Sequence, residues 1–159
     1  MDMPKPLVTL LGKAVKTAAA LRGGGSALPG LFVERIDKDY VRSTLSQLPQ
    51  GVVLISGTNG KTTTTKMVVE LLEGQGLKVF TNRTGSNFTR GVAAALLGDV
   101  SLSGKVSADI AVLELDEAHA VHFVKSVRPS YSLLLNVMRD QLDRFGEIDK
   151  TAQLLQAVA

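Results

Sequence analysis

The most constraining feature of the sequence is a glycine-rich turn between an apolar run and a helical pattern. Residues 51–56 read Gly-Val-Val-Leu-Ile-Ser, and residues 57–65 read Gly-Thr-Asn-Gly-Lys-Thr-Thr-Thr-Thr. The apolar run is typical of a buried strand, and the apolar spacing up to residue 74 is typical of a helix. Backbone N–H groups of such a turn and the positive end of the helix point toward one spot, where they bind phosphate. The sequence therefore predicts a phosphate-binding loop.

Two side chains in this turn have the chemistry that a nucleotide polyphosphate requires. In a P-loop the lysine reaches the β- and γ-phosphates and the following hydroxyl ligates magnesium, so we expect these roles of Lys61 and Thr62. The full P-loop pattern G-x-x-x-x-G-K-[ST] has glycine where this chain has Ile55, so the match begins at Gly57. A polar helix cap with an incidental lysine is the alternative, but the flanking strand and helix favour phosphate binding. We expect the nucleotide to contact Gly57, Thr58, Asn59, Gly60, Lys61, Thr62 and Thr63.

Short strands alternate with helices after this turn. Such alternation predicts a three-layer α/β fold, in which helices cover both faces of a mostly parallel sheet. Residues 99–107 are polar and rich in glycine and serine, and we assign them no element. Strands are predicted over residues 52–56, 77–81, 109–115 and 131–137, and helices over residues 61–74, about 88–97, 117–126 and from about 149.

Polar residues follow each of the predicted strands, at 57–63, 82–87, 114–117 and 136–144. Ligands of open parallel sheets bind beyond the carboxyl ends of the strands, so these four loops are predicted to face one crevice.

Three acidic residues end the third predicted strand. A carboxylate at this position, beside a phosphate loop, suits Mg²⁺. Glu114 is the preferred ligand, and Asp116 is the alternative. One of the three acids is expected to cap the following helix, and Glu117 fits that role best.

The loop after the second strand combines amides, hydroxyls and two arginines, Arg83 and Arg90. This mixture suits phosphate and carboxylate recognition. An ordinary surface loop with solvated arginines is the alternative.

The N-terminal region has a different pattern. Residues 6–22 carry apolar residues at helical spacing, and glycine and proline residues over 23–30 then interrupt the pattern. We expect residues 1–48 to form a helix and connector that pack on the core, with a short helix within 37–48, and residues 49–159 to form the main domain. The apolar positions are Leu7, Leu10, Leu11, Ala14, Ala18 and Leu21.

Charge leaves two interpretations of this helix open. Residues 1–35 hold five Lys or Arg and two acidic residues, and thus the whole net charge of +3. A basic amphipathic helix can contact an anionic membrane or an acidic partner. We favour the simpler interpretation, in which the apolar side packs on the domain and the charged side is solvated.

Composition excludes several classes of protein. A chain of 159 residues with 45% hydrophobic content can bury one ordinary core. The absence of cysteine excludes disulfides and thiolate metal sites within these residues. No apolar stretch approaches the ~20 residues that cross a bilayer. We therefore expect a cytoplasmic protein.

Residues 136–147 read Asn-Val-Met-Arg-Asp-Gln-Leu-Asp-Arg-Phe-Gly-Glu, and with them the chain resembles the Mur ligase superfamily. The turn at Gly57 looks like the family's ATP loop, Glu114 looks like its magnesium ligand, and this last stretch looks like its N-x-x-x-D-H-L-D motif. Most Mur ligases have His where this chain has Gln141. At Gln141, and over residues 82–87 and 114–117, the chain is similar to the MurT-type subunits of lipid II isoglutaminyl synthase.

The resemblance implies a central ATP-binding domain, here incomplete, and an ATP-dependent ligase of peptidoglycan synthesis. In MurT-like enzymes, ATP converts the D-glutamate α-carboxylate of lipid II to an acyl phosphate. Ammonia from a GatD-like glutamine amidotransferase then displaces the phosphate. A cytoplasmic enzyme at the inner membrane face is therefore expected. By resemblance, Lys61, Glu114 and Gln141 are catalytic, ATP and Mg²⁺ are the cofactors, and Asn82, Arg83, Asn136 and Asp140 also contact the nucleotide.

Two alternatives stay open, and one expectation concerns the chain by itself. Another Mur-type ligase or a folylpolyglutamate synthase is the first alternative, and a non-catalytic nucleotide-binding or assembly module is the second. The four-cysteine zinc ribbon and the C-terminal domain of MurT-like proteins are absent from these residues, and Lys150 is not assigned to the family's carbamylated lysine. We expect residues 1–159 alone to be inactive.

Overall fold

The computed structural model describes residues 6–21, 28–82, 89–138 and 148–159. Within these ranges helices and strands alternate from residue 52 onward, after three N-terminal helices. The elements are α1 (Pro6–Leu21), α2 (Leu28–Ile36), α3 (Tyr40–Leu45), β1 (Val52–Ser56), α4 (Lys61–Gly74), β2 (Val79–Thr81), α5 (Thr89–Asp99), β3 (Ile110–Glu114), α6 (Glu117–Ser126), β4 (Tyr131–Leu134) and α7 (Ile148–Gln156).

The four strands form one sheet in the order β2-β3-β1-β4, and every pairing is parallel. Ile55 pairs with Glu114, and Ser56 pairs with Leu134, so β1, β3 and β4 end at the same edge. All five residues of β3 are buried, as expected for a strand covered on both faces. The predicted α/β fold with a parallel sheet is confirmed.

Helices cover both faces of the sheet. On one face, Val69 of α4 packs with Ile55 and Val112. On the other face, Leu54 and Leu113 belong to a larger cluster that also contains residues of α1, α2, α3, α5 and α6. The three-layer arrangement follows from the alternation of inward-facing residues along β1 and β3.

The sequence pattern does not predict helix α2, because Pro29 and Gly30 ordinarily interrupt regular structure. Proline is tolerated in the first turn of a helix, where its missing N–H has no intrahelical partner. A Cβ atom on Gly30 would lie 2.0 Å from the carbonyl oxygen of Arg90. The glycine is therefore where α2 approaches the backbone of α5.

The orientation of α1 is opposite to the favoured prediction. Its buried residues are Val8, Thr9 and Gly12, while Leu7 and Leu10 on the other side are 66% and 53% exposed. A Cβ atom on Gly12 would lie 2.6 Å from side-chain atoms of both Leu97 and Val33. The narrow glycine face therefore packs on the domain, and the leucine face does not.

Three elements, α3, β2 and β4, are shorter than predicted. Strand β2 begins at Val79 and not at residue 77, because the N–H of Leu77 still bonds to Leu72 at the end of α4. Strand β4 ends at Leu134 and not at residue 137, because Asn136 turns toward the glycine-rich loop. Helix α3 covers only Tyr40–Leu45 of the predicted 37–48. None of the described helices combines the length and apolarity that crossing a membrane requires.

Candidate functional site

The predicted phosphate loop connects β1 to α4. Gly57 and Gly60 have φ angles of +139° and +84°, which favour glycine. A Cβ atom on Gly57 would lie 3.1 Å from the backbone N and O of Asn136. Gly60 is the N-cap of α4 and provides no side chain to its first amides. The loop therefore presents N–H groups at a helix N-terminus, the arrangement that binds anions.

Lys61 is folded back on this loop and is only 8% exposed. Its Nζ donates to the carbonyl oxygens of Gly57 and Thr58, the latter at 3.2 Å. The Asp116 carboxylate lies 3.4 Å from the same nitrogen. The lysine charge is thus balanced by Asp116 in a largely buried ion pair.

Thr62 and Glu114 form a second pair beside the first. The Thr62 hydroxyl lies 3.0 Å from Oε1 of Glu114 at the end of β3. Hydroxyl and carboxylate oxygens are hard ligands that suit Mg²⁺. Two oxygens bound at right angles to Mg²⁺ at about 2.1 Å lie roughly 3.0 Å apart, so the pair fits this ion. Among the described residues, no group of three or more acidic, histidine or cysteine side chains is arranged to hold a metal.

Asn82 holds the end of β3. Its Nδ2 donates to the carbonyl oxygen of Glu114 at 2.8 Å, and its Oδ1 accepts from the Glu114 N–H at 3.0 Å. Asn82 was predicted to contact the nucleotide, and the structure places it against the backbone of the candidate metal ligand.

Asn136 fixes the phosphate loop from the β4 side. Its Oδ1 accepts from the N–H of Asn59 and its Nδ2 donates to the Asn59 carbonyl, both at 3.0 Å. Its own carbonyl accepts from the N–H of Thr58 at 3.0 Å. The predicted convergence of the loops after β1, β2, β3 and β4 is confirmed for these described residues.

Glu117 has a contact that the sequence did not reveal. The prediction that it caps α6 is wrong, because Asp116 is the N-cap and Glu117 lies in the first turn. Its carboxylate is completely buried and accepts a hydrogen bond from the Thr58 hydroxyl at 3.3 Å. The N–H of Met138 donates to the same hydroxyl at 3.0 Å. Oε2 of Glu117 is among the buried oxygens for which the described structure has no hydrogen-bond partner. Residues 58 and 117 meet only because β1 and β3 are neighbours, which no local pattern indicates.

Four further residues that the sequence singles out are not part of the described site. Arg83, Asp140 and Gln141 lie outside the described residues. Arg90 faces Glu34 of α2 at 3.7 Å and not the phosphate loop. Burial raises the pKa of Glu34, and the charge of Arg90 opposes that effect.

A cavity of about 500 Å³ lies beside the Thr62–Glu114 pair. It opens between α4 and the ends of β2 and β3, and it is therefore continuous with the candidate metal position. Its walls include Lys66, Glu70 and Thr81 as well as Asn82. These polar side chains give a largely apolar cavity a few hydrogen-bonding groups.

Known proteins are similar to this chain in sequence and in fold. Residues 55–155 match the family described as the Mur ligase middle domain. Subunit MurT of the glutamine-hydrolysing lipid II isoglutaminyl synthase from Streptococcus pneumoniae is 36% identical over 155 residues, which cover 98% of this chain and 34% of that protein. The UDP-N-acetylmuramoylalanine–D-glutamate ligase of Desulfotalea psychrophila is 38% identical over 101 residues, 64% of this chain and 20% of that protein.

A solved structure agrees with these matches. The MurF ligase from Thermotoga maritima in complex with ADP superposes with a TM-score of 0.65 and 26% identity, over 77% of this chain and 29% of that one. The chain spans about a third of the length of the MurT relative. The family match, the curated relatives and the shared fold lead to one conclusion: the chain belongs to the Mur ligase family.

Proposed function

We propose that this chain is the ATP-binding part of a MurT-like amide ligase of peptidoglycan synthesis. Its acceptor is the D-glutamate α-carboxylate of lipid II, which ATP activates as an acyl phosphate. Ammonia from a GatD-like glutamine amidotransferase then forms the amide and releases phosphate. The observation that carries the proposal is the Thr62–Glu114 pair, 3.0 Å apart, beside the lysine of the phosphate loop.

The residues of the site have separate roles in this proposal. The first amides of α4, from Lys61 to Thr63, would hold the polyphosphate, because the N–H groups of Thr58 and Asn59 bond to Asn136. Lys61 would exchange its contact with Asp116 for the phosphate charge. Thr62 and Glu114 would hold magnesium, which would neutralise charge on the transferred phosphoryl group. Asn82 and Asn136 position the loops around the nucleotide. Arg83, Asp140 and Gln141 keep the roles that the resemblance implies.

The structure supports Glu114 over Asp116 as the metal ligand. Glu114 contacts the Thr62 hydroxyl, whereas the Asp116 carboxylate lies against Lys61. We therefore assign Asp116 to the lysine, whose charge it balances before a nucleotide binds.

The MurT-like assignment is favoured over an amino-acid-adding Mur ligase. The MurT relative matches over 155 residues of this chain, whereas the D-glutamate ligase matches over 101. The two activities use different nucleophiles, ammonia and an amino acid. A cytoplasmic location at the inner membrane face is part of the proposal, because lipid II is a membrane lipid.

Binding of Mg-ATP to the full-length protein tests the site itself. Lys61→Ala should weaken binding by about 10- to 100-fold in isothermal titration, because a charged hydrogen bond contributes about 1.5–3 kcal/mol. Lys105→Ala, at an exposed position outside the site, is the matched control and should bind normally. Unchanged affinity in Lys61→Ala would show that this loop does not bind the phosphates of ATP.

Product analysis tests the reaction. The full-length protein, a GatD-like partner, glutamine, ATP and lipid II should yield a product in which a carboxylate has become an amide, detected by mass spectrometry. Addition of an amino acid to a soluble precursor, with no amidated lipid II, would favour the other Mur ligases.

A further inference from the structure

Glu117 is a buried carboxylate to which the proposed function gives no role. The buried residues of α6 are Glu117, Ala120 and Phe123, so the carboxylate lies on the face of the helix that packs on the core. One of its oxygens, Oε2, has no hydrogen-bond partner in the described structure. Burial of such a group is unfavourable compared with burial of an apolar side chain. A polar group at a core-facing position therefore indicates a role other than packing.

The hydrogen bond of Glu117 leads to Thr58, the second residue of the phosphate loop, all of whose polar groups have partners. The N–H of Thr58 donates to the carbonyl of Asn136, and its carbonyl accepts from Nζ of Lys61. Its hydroxyl donates to Glu117 at 3.3 Å and accepts from the N–H of Met138 at 3.0 Å. Thr58 thus joins the phosphate loop to the segments after β3 and β4, and Glu117 fixes the direction of its hydroxyl.

Side-chain pairs connect the end of β3 to the phosphate loop at three points. In the described structure these pairs are Thr62–Glu114, Lys61–Asp116 and Thr58–Glu117. In the proposed function, magnesium would take the oxygens of the first pair, and phosphate would compete with the carboxylate of the second. The hydroxyl and the carboxylate of the third pair are assigned to neither ligand. The third pair is therefore the one of these contacts that nucleotide binding leaves in place.

We propose that Glu117 is a positioning residue, which acts through the Thr58 hydroxyl to hold the phosphate loop at a fixed separation from Glu114 while the nucleotide is bound. The inference rests on the proposed function, because this separation matters only if magnesium bridges Thr62 and Glu114. Magnesium requires nearly ideal octahedral geometry with short bonds to oxygen, so a small change in the separation weakens its binding. Glu117 itself touches neither the metal nor the nucleotide in this proposal.

The test measures ATP binding to the full-length protein by isothermal titration, once with magnesium and once with a chelator. The dissociation constant with the chelator, divided by that with magnesium, is the magnesium ratio, which reports how strongly the metal favours nucleotide binding. Glu117→Leu fills a similar volume but offers no acceptor to the hydroxyl, and it should lower the magnesium ratio at least about fivefold. Its affinity for ATP with the chelator should change much less, because the first amides of α4 and Lys61 remain.

Further variants separate hydrogen bonding from packing. Glu117→Gln keeps an acceptor oxygen on a side chain of the same length, so it should retain most of the magnesium ratio. Thr58→Val removes the hydroxyl and should lower the ratio as Glu117→Leu does. Because the two side chains act as one unit, the double variant Thr58→Val, Glu117→Leu should lower it no further. The matched control is Thr44→Val in α3, a completely buried threonine whose hydroxyl has no partner in the described structure, and it should have the wild-type ratio.

Hydrogen exchange of the Met138 amide gives a second readout, which needs neither metal nor nucleotide. This amide donates to the Thr58 hydroxyl, whose direction depends on Glu117. We expect the amide to exchange at least about fivefold faster in Glu117→Leu than in the wild type. Glu117→Gln and Thr44→Val should exchange at the wild-type rate.

Several results would overturn the proposal. Glu117→Leu keeps the wild-type magnesium ratio, or Glu117→Gln is as impaired as Glu117→Leu. Equal losses of ATP affinity with and without magnesium would mean that Glu117 supports the loop in general. If the wild type binds Mg-ATP while Glu117→Leu has the wild-type ratio, this inference fails alone. If the wild type does not bind ATP, the proposed function and the effect on magnesium both fail, and the exchange of Met138 still decides whether Glu117 orders the two loops.

Discussion

At the scale of single residues, two carboxylates two positions apart have different partners. Glu114 contacts Thr62, and Asp116 contacts Lys61. We expect Glu114→Ala to raise the magnesium concentration that ATP turnover requires, and excess magnesium to restore part of the rate. Asp116→Ala should keep the wild-type magnesium dependence. A magnesium titration of turnover in the full-length protein measures both, and a silent Glu114→Ala beside a magnesium-dependent Asp116→Ala would exchange the two roles.

Tyr40 gives a pH-dependent prediction away from the site. Burial raises its pKa from the ordinary 10.0 to about 12, because the buried phenolate is poorly solvated. The folded protein therefore favours the neutral phenol, and this stabilisation is complete below pH 10 and is lost as the pH rises through about 12.

Phenylalanine at position 40 cannot ionise, so the Tyr40→Phe variant should not lose this stability at alkaline pH. The stability of the wild type relative to Tyr40→Phe should fall by about 2–3 kcal/mol across this alkaline range, measured by urea unfolding at several pH values. At neutral pH the two proteins should differ much less, because the buried Tyr40 hydroxyl forms no hydrogen bond of standard geometry in the described structure, although the Thr9 side chain is near enough to oppose the rise of its pKa. Parallel pH profiles would contradict the prediction.

At the scale of elements, two helical glycines have opposite environments. A Cβ on Gly30 would meet the backbone of α5 at 2.0 Å, whereas a Cβ on Gly74 would have nothing within 4 Å. Gly30→Ala should destabilise the protein by at least about 1–3 kcal/mol, because a backbone must move. Gly74→Ala should stabilise it by about 0.5–1 kcal/mol. Denaturant unfolding of both variants measures the contrast, and equal stabilities would contradict the close packing of α2 on α5.

The elements around the sheet could be predicted because their signals are local. Strand β1 and helix α4 agree with the predicted residues 52–56 and 61–74, since an apolar run and a helical period are enough to define them. Helix α2 could not be predicted, because the reason for Gly30 is the backbone of α5, 60 residues away. The orientation of α1 could not be predicted either, because hydrophobic periodicity selects the leucine face, whereas Val8, Thr9 and Gly12 form the face that meets the core.

The candidate site, like the fold, has features that the sequence predicts and features that it does not. The positions of Lys61, Thr62 and Glu114 could be predicted, because each lies at or just beyond the end of a strand, at the edge where ligands of parallel sheets bind. Their roles stay predictions. The partners of Asn82 and the Thr58–Glu117 contact depend on strand order, which is a property of the assembled sheet.

At the scale of the whole molecule, ligand binding should stabilise the fold. A ligand at 100 times its dissociation constant adds about 2.7 kcal/mol to stability, which corresponds to several degrees in the unfolding temperature of a chain of this size. We expect Mg-ATP to raise the unfolding temperature, and Lys61→Ala to reduce the increase by about half or more, because its weaker binding leaves the ligand at only about 1 to 10 times the dissociation constant. A thermal shift series with and without a magnesium chelator measures it, and an equal shift in Lys61→Ala would contradict the site.

The predicted division into residues 1–48 and 49–159 stays a prediction. Val8, Val33 and Tyr40 from the N-terminal helices lie in the same hydrophobic cluster as Leu54 of β1. Within the described residues this cluster continues from the N-terminal helices into the sheet, so we propose that the N-terminal helices fold together with the sheet.

The contact of Thr58 with Glu117 has a consequence for evolution. The Thr58 hydroxyl donates a hydrogen bond to Glu117 and accepts one from the backbone N–H of Met138, so it is used both as a donor and as an acceptor. Replacing it alone by alanine or valine would leave a completely buried carboxylate without its described donor, and replacing Glu117 alone by an apolar residue would leave the hydroxyl proton unpaired. Either single step carries a penalty that the double change avoids. Among homologous sequences, we therefore expect a hydroxyl at position 58 and an acid at position 117 to be gained and lost together.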